Sequence, residues 1–99
     1  MPYVIQMPAS RPDEGERYCY FMDSSIGRST FMAKSYDTWL DAKLALDSIN
    51  NYAPYKAPEI VGDTFHERLK KIRIVKLETV NKRRRSLGLN KLQIVGQYD

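Results

Sequence analysis

The chain has 99 residues, 42% hydrophobic and 28% charged, with a formal net charge of +4. This is the make-up of one small folded domain over residues 1–99, with material for a core and little stability to spare. It excludes a disordered chain and a disulfide scaffold, since Cys19 is the single cysteine, and no run approaches the roughly 20 apolar residues of a membrane span.

Charge is distributed unevenly. Residues 1–65 hold six Lys/Arg against nine Asp/Glu, whereas residues 66–99 hold ten against three. A bipolar chain of this kind suggests a cationic surface for an acidic partner. The plainer reading is a solvated surface with lysines guarding strand edges.

Residues 2–7 (PYVIQM) read as a first short strand. Residues 7–15 carry Pro8, Pro12 and Gly15 and read as a loop. Residues 17–23 (RYCYFMD) are rich in aromatic side chains and read as a second strand, and 29–34 (STFMAK) as a third, joined to it as a hairpin. Residues 35–51 are the clearest helix. Ser35 is placed to cap it and Asp37 adds favourable charge to its first turn. Trp39, Ala42, Leu46 and Ile49 fall on one apolar face, with Ala45 at its edge. Tyr36, Leu40 and Leu44 form a second stripe. That stripe either packs under the C-terminal tail or is a contact site for another protein.

Residues 52–63 read as a loop. Thr64-Phe65-His66-Glu67 matches a capping box, yet residues 72–80 are rich in β-branched side chains. Two readings of the stretch stand: a helical turn over 64–70 followed by a strand over about 71–80, or one helix running to Arg85. Residues 81–90 (NKRRRSLGLN) read as a basic loop and 91–96 (KLQIVG) as a last strand. The expected order is β-β-β-α-β-β. That is an α+β fold, with one main helix packed on a face of an antiparallel sheet and a basic C-terminal segment over 81–99.

No motif for catalysis is visible. His66 is the single histidine and cannot build a metal site alone. Asp37, Asp41 and Asp47 read as a solvated helix face. Gly27 stands without a glycine-rich phosphate loop, and no serine has a nucleophile's surroundings. A non-enzyme without metal or cofactor is expected. Met1–Gln6 has no basic start and no long apolar core, so no signal peptide is expected there. With one free thiol, that fits the cytoplasm, of a host cell if the protein is viral.

The basic residues are the best candidates for a site. Lys82-Arg83-Arg84-Arg85 puts four cations in a row, and Lys70, Lys71, Arg73, Lys76 and Lys91 lie nearby. Phosphate contacts need little beyond such charges held on a frame. A platform for stacking bases would need aromatic side chains, and the basic half offers only Phe65 and Tyr98.

The opening PYVIQM, the aromatic hairpin, SYDTWLDAKLALDSIN and the closing IRIVKLE together resemble small accessory proteins of tailed bacteriophages. The resemblance implies action by binding: a stoichiometric inhibitor of host machinery such as a nucleic-acid-targeting defence system, or an adaptor. The sequence thus leads to a protein that engages a nucleic-acid-handling protein or nucleoprotein complex. Lys82–Arg85 with Arg73 and Lys76 would be one contact; Tyr36, Leu40 and Leu44 would be a second. Direct binding of DNA or RNA and a small virion structural or assembly protein, acting as a homo-oligomer, are the alternatives.

Overall fold

The computed structural model describes residues 2–13, 15–23, 27–52, 68 and 70–96. The loop expected over 52–63, apart from Tyr52, lies outside the described residues, as do the capping box at 64–67, Leu69 and Tyr98. Strands β1 (Tyr3–Asp13), β2 (Glu16–Phe21), β3 (Arg28–Ser29) and β5 (Arg73–Lys76) form an antiparallel sheet in the order β3-β2-β1-β5. Strands β4 (Met32–Ala33) and β6 (Gln93–Ile94) form a separate parallel pair. Helices α1 (Trp39–Tyr52) and α2 (Leu77–Ser86) complete the chain. The fold is α+β.

Period-two alternation sorts the core into two layers. Ile5 and Met7 of β1 and Cys19 and Phe21 of β2 face α1, where they meet Ala45 and Ile49. Val4 and Tyr20 face the other way and pack with Ala33, Val80 and Leu92. The sheet is therefore covered on both faces, by α1 on one and by α2 with the C-terminal segment on the other. One main helix was expected, so α2 is a correction.

The switch to α2 has a clear cause. Strand β5 pairs with β1 from Gln6↔Arg73 to Tyr3↔Lys76. There β1 begins, and no partner remains for a strand running on to residue 80. The Leu77 N–H is taken by the Pro2 carbonyl at 3.0 Å, and the helix starts with no loop between. Its end follows a Schellman motif: Leu89 N–H donates to the Arg84 carbonyl and Gly88 N–H to the Arg85 carbonyl, with Gly88 at φ +77. The expected basic loop over 81–90 is thus mostly helix.

Three further boundaries differ. Strand β1 runs on to Asp13 through the expected loop by pairing with β2 alone: β5 begins opposite Gln6, and the β1–β2 register shifts between Pro8 and Asp13. A one-sided or bulged strand tolerates proline. The expected third strand is broken at Thr30 and Phe31, where Ser29 Oγ accepts from the N–H groups of Phe31 and Met32. Helix α1 begins four residues late: Tyr36 bridges Tyr3 through two backbone bonds of 2.7 and 2.8 Å, and Thr38 Oγ1, not Ser35, accepts the Asp41 N–H.

Candidate functional site

Strand β2 starts with Glu16, whose parity with Tyr18 and Tyr20 points it to the α2 face. Its carboxylate is almost completely buried. Arg83 Nη2 donates to Oε1 at 2.6 Å and Arg84 Nη1 to Oε2 at 2.5 Å. Arg84 also donates from Nε to the Asn90 carbonyl at 2.7 Å and from Nη1 to the Thr30 carbonyl at 2.9 Å. One side chain thus ties α2 to β2, to the β3–β4 connection and to the segment after the helix. Buried charge is tolerated only when paired and hydrogen-bonded in this way. Burial by itself would raise the Glu16 pKa. The hydrogen bonds from Arg83 and Arg84 together outweigh it and hold the carboxyl below the ordinary range. Burial likewise pulls Arg83 down, and Glu16 and Tyr20 together more than reverse this.

Around this pair the network opens toward solvent. Tyr20 Oη accepts from Arg83 at 3.0 Å and donates to Glu16 at 3.3 Å, and burial raises its pKa. Arg73 Nε donates to Gln6 Oε1 at 2.9 Å. The guanidiniums of Arg73 and Arg83 lie 5.5 and 5.0 Å from the centroid of the half-buried Tyr18 ring. A guanidinium stacked on an aromatic ring is held in place while keeping donors for phosphate or carboxylate.

The chain matches no family model, no curated protein and no solved structure. Its function is therefore read from its own geometry.

The structure divides the basic residues expected to form one surface. Arg84 is turned inward and spent on the fold, a correction with a physical reason: α2 puts residues 80 and 84 on its buried side. Arg83 is half-buried beside it. Lys82 and Arg85 lie on the outward side of α2 and are exposed. Arg73 shares the α2 face of the sheet, whereas Lys76, opposite Tyr3, has the parity of the α1 face. Lys70, Lys71 and Lys91 are exposed in the segments flanking β5 and α2. Arg73 and Arg83 therefore meet at the Tyr18 ring, and no contact among the described residues brings Lys70, Lys71, Lys76, Lys82, Arg85 or Lys91 to them.

The second expected contact is also divided. Tyr36 packs against the α1-side core. Leu40 and Leu44, 61% and 59% exposed, point away from the sheet. Trp39, expected in the core, is 50% exposed at the first position of α1. Glu16, Gln6, Tyr18 and Tyr20 were not singled out from sequence. The available signal was an acid at alternate spacing with two tyrosines, Glu16, Tyr18 and Tyr20, in an aromatic-rich strand.

Among the described residues, no group of His, Cys, Asp and Glu could hold a metal, and no helix is long and apolar enough to cross a membrane. His66 lies outside the described residues.

Proposed function

We propose that this chain is a non-catalytic binding protein that docks on a nucleoprotein complex through the face shared by β5 and α2. The observation that carries this reading is the pair of guanidiniums, Arg73 and Arg83, stacked at Tyr18, with Lys82 and Arg85 exposed on the helix that carries Arg83. Residues 70–96 hold nine Lys/Arg against one acid, Glu78. On the α2 face of the sheet itself Arg73, Arg83 and Arg84 outnumber Glu16, which leaves a positive excess. A nucleoprotein offers both phosphates and acidic side chains to such a face. Leu40 and Leu44, on the opposite side of the sheet, would add a protein contact and make the chain an adaptor. The resemblance to phage accessory proteins narrows the partner to a host defence complex that the chain inhibits stoichiometrically.

Direct binding of nucleic acid is the second reading, favoured by the same stacked arginines. Both are tested by titrating labelled duplex DNA and single-stranded RNA at several salt concentrations, with the parent protein and a Lys82→Glu/Arg85→Glu variant. These two side chains are exposed, so the variant should melt with the parent. Phosphate contact predicts affinity that falls steeply with salt. The variant's slope should be shallower by about 0.7 to 0.9 for each phosphate that it no longer neutralises. Binding to neither nucleic acid at low salt would remove phosphate recognition and leave an acidic protein surface as the partner. Unchanged binding by the variant would remove this face from the proposal altogether.

A further inference from the structure

Two guanidiniums are held in fixed positions at the Tyr18 ring. Arg73 Nε is spent on Gln6 Oε1 at 2.9 Å. Arg83 Nη2 is spent on Glu16 Oε1 and Tyr20 Oη, at 2.6 and 3.0 Å. Each guanidinium is thus anchored by one nitrogen and by the ring, 5.5 and 5.0 Å from its centroid. Among the described residues, Arg73 keeps Nη1 and Nη2 without an acceptor, and Arg83 keeps Nε and Nη1. Arg73 is exposed and the Arg83 side chain is 32% exposed, which leaves the pair open to a ligand.

Charge narrows the class of ligand. Three guanidiniums, Arg73, Arg83 and Arg84, stand against one carboxylate, Glu16, which leaves an excess of two. Burial raises the Tyr20 pKa, so its phenol stays neutral at pH 7 and cancels none of this. A carboxylate or an internal phosphodiester brings one negative charge, whereas a phosphate monoester brings about −1.5 to −2 at pH 7. The oxygens narrow it in the same direction. Arg73 Nη1 and Nη2 form an end-on fork that occupies two oxygens. A carboxylate or a phosphodiester has only two to give and is used up there. A phosphate monoester has a third, which is left for Arg83. Anchored guanidiniums also lose little freedom on binding, and this favours a small defined group over a diffuse charged surface.

We propose that Arg73 and Arg83 bind the terminal phosphate of a nucleic-acid strand. This rests on the reading of the β5–α2 side as a contact for nucleic acid, and it names the group recognised there. A strand fits better than a phosphorylated peptide, because Lys82 and Arg85 are exposed on the helix that carries Arg83 and offer further cations to the phosphodiesters that follow.

The test is fluorescence anisotropy with one short single-stranded DNA, labelled at its 3′ end and carrying either a 5′-phosphate or a 5′-hydroxyl. The phosphorylated strand should bind the parent protein about tenfold more tightly, the effect of charged hydrogen bonds to one group. Arg73→Gln should erase this preference, and Arg73→Lys, which keeps the charge and loses the fork, should retain only part of it. Arg73 is exposed, so both variants should melt with the parent. Lys82→Glu/Arg85→Glu should weaken both strands alike and keep the preference. A phosphoserine peptide should displace the phosphorylated strand only at far higher concentration. Equal affinity of the two strands would overturn this proposal and leave the nucleic-acid reading standing. Binding of neither strand would overturn both. A full preference in folded Arg73→Gln, or displacement by the peptide at equal concentration, would also overturn the proposal.

Discussion

Arg84 takes part in three hydrogen bonds to three separate segments, and this sets what its loss would do. Removing it leaves the Glu16 carboxylate buried with the half-exposed Arg83 as its one charged partner among the described residues. Breaking a buried pair from one side costs about 3–5 kcal/mol, a large share of a small domain's stability. Arg84→Ala should therefore shift the urea midpoint strongly, and Arg84→Lys should recover only part of it, since one ammonium cannot reproduce the fork. Acid should act through the same pair. The Glu16 pKa is lower folded than unfolded, so its stabilisation is fully present above the unfolded value and fades as pH falls through the folded one. The loss begins near the ordinary glutamate value of 4.5. Glu16→Gln should be less stable than the parent at pH 7, with the gap closing toward pH 3. Urea midpoints at the two pH values decide it, and a constant gap would refute the role given to this carboxylate.

At the scale of elements, local signals and tertiary pairing compete for the same residues. Ser35 is a good capping residue, but the Tyr3–Tyr36 bridge holds the chain extended past it and hands the cap to Thr38. Thr38→Ala should cost about 1 kcal/mol, whereas Ser35→Ala should fall within about 0.5 kcal/mol of the parent. Thermal melts of the two variants separate the assignments. Helix α2 shows the reverse case, where the local signal agrees with the fold. Three arginines in a last turn followed by glycine are a helix C-terminus. The β-branched run before them favours a strand on to residue 80, and that competing pattern hid the helix.

For the molecule as a whole, the sheet's two covered faces have different characters. The α1 side is an apolar layer. The α2 side is half apolar and half a network of charges and tyrosines, and Leu92 closes its apolar part. The Leu92 N–H is held by Asn81 Oδ1 at 3.0 Å, which links the segment before β6 to α2. Leu92→Ala should cost about 2–4 kcal/mol, the range for a buried leucine. A cost near zero in chemical denaturation would mean that the C-terminal segment does not seal this face.

The amino-acid sequence by itself determined the class of fold. It set the strands around PYVIQM and RYCYFM, the apolar side of α1 at Ala42, Ala45 and Ile49, and a basic second half. These follow from periodicity and composition, which act over a few neighbouring residues. Only the tertiary structure decided where β5 stops, because that depends on the start of β1 some seventy residues earlier in the chain. It alone turned Arg84 inward and left Lys82 and Arg85 outside, since a buried carboxylate on β2 had to find its counter-charge. It alone brought Arg73 and Arg83 to one ring, Tyr18. Partners distant in the chain carry no periodic signature; each such choice is made by burial and charge pairing once the layers meet.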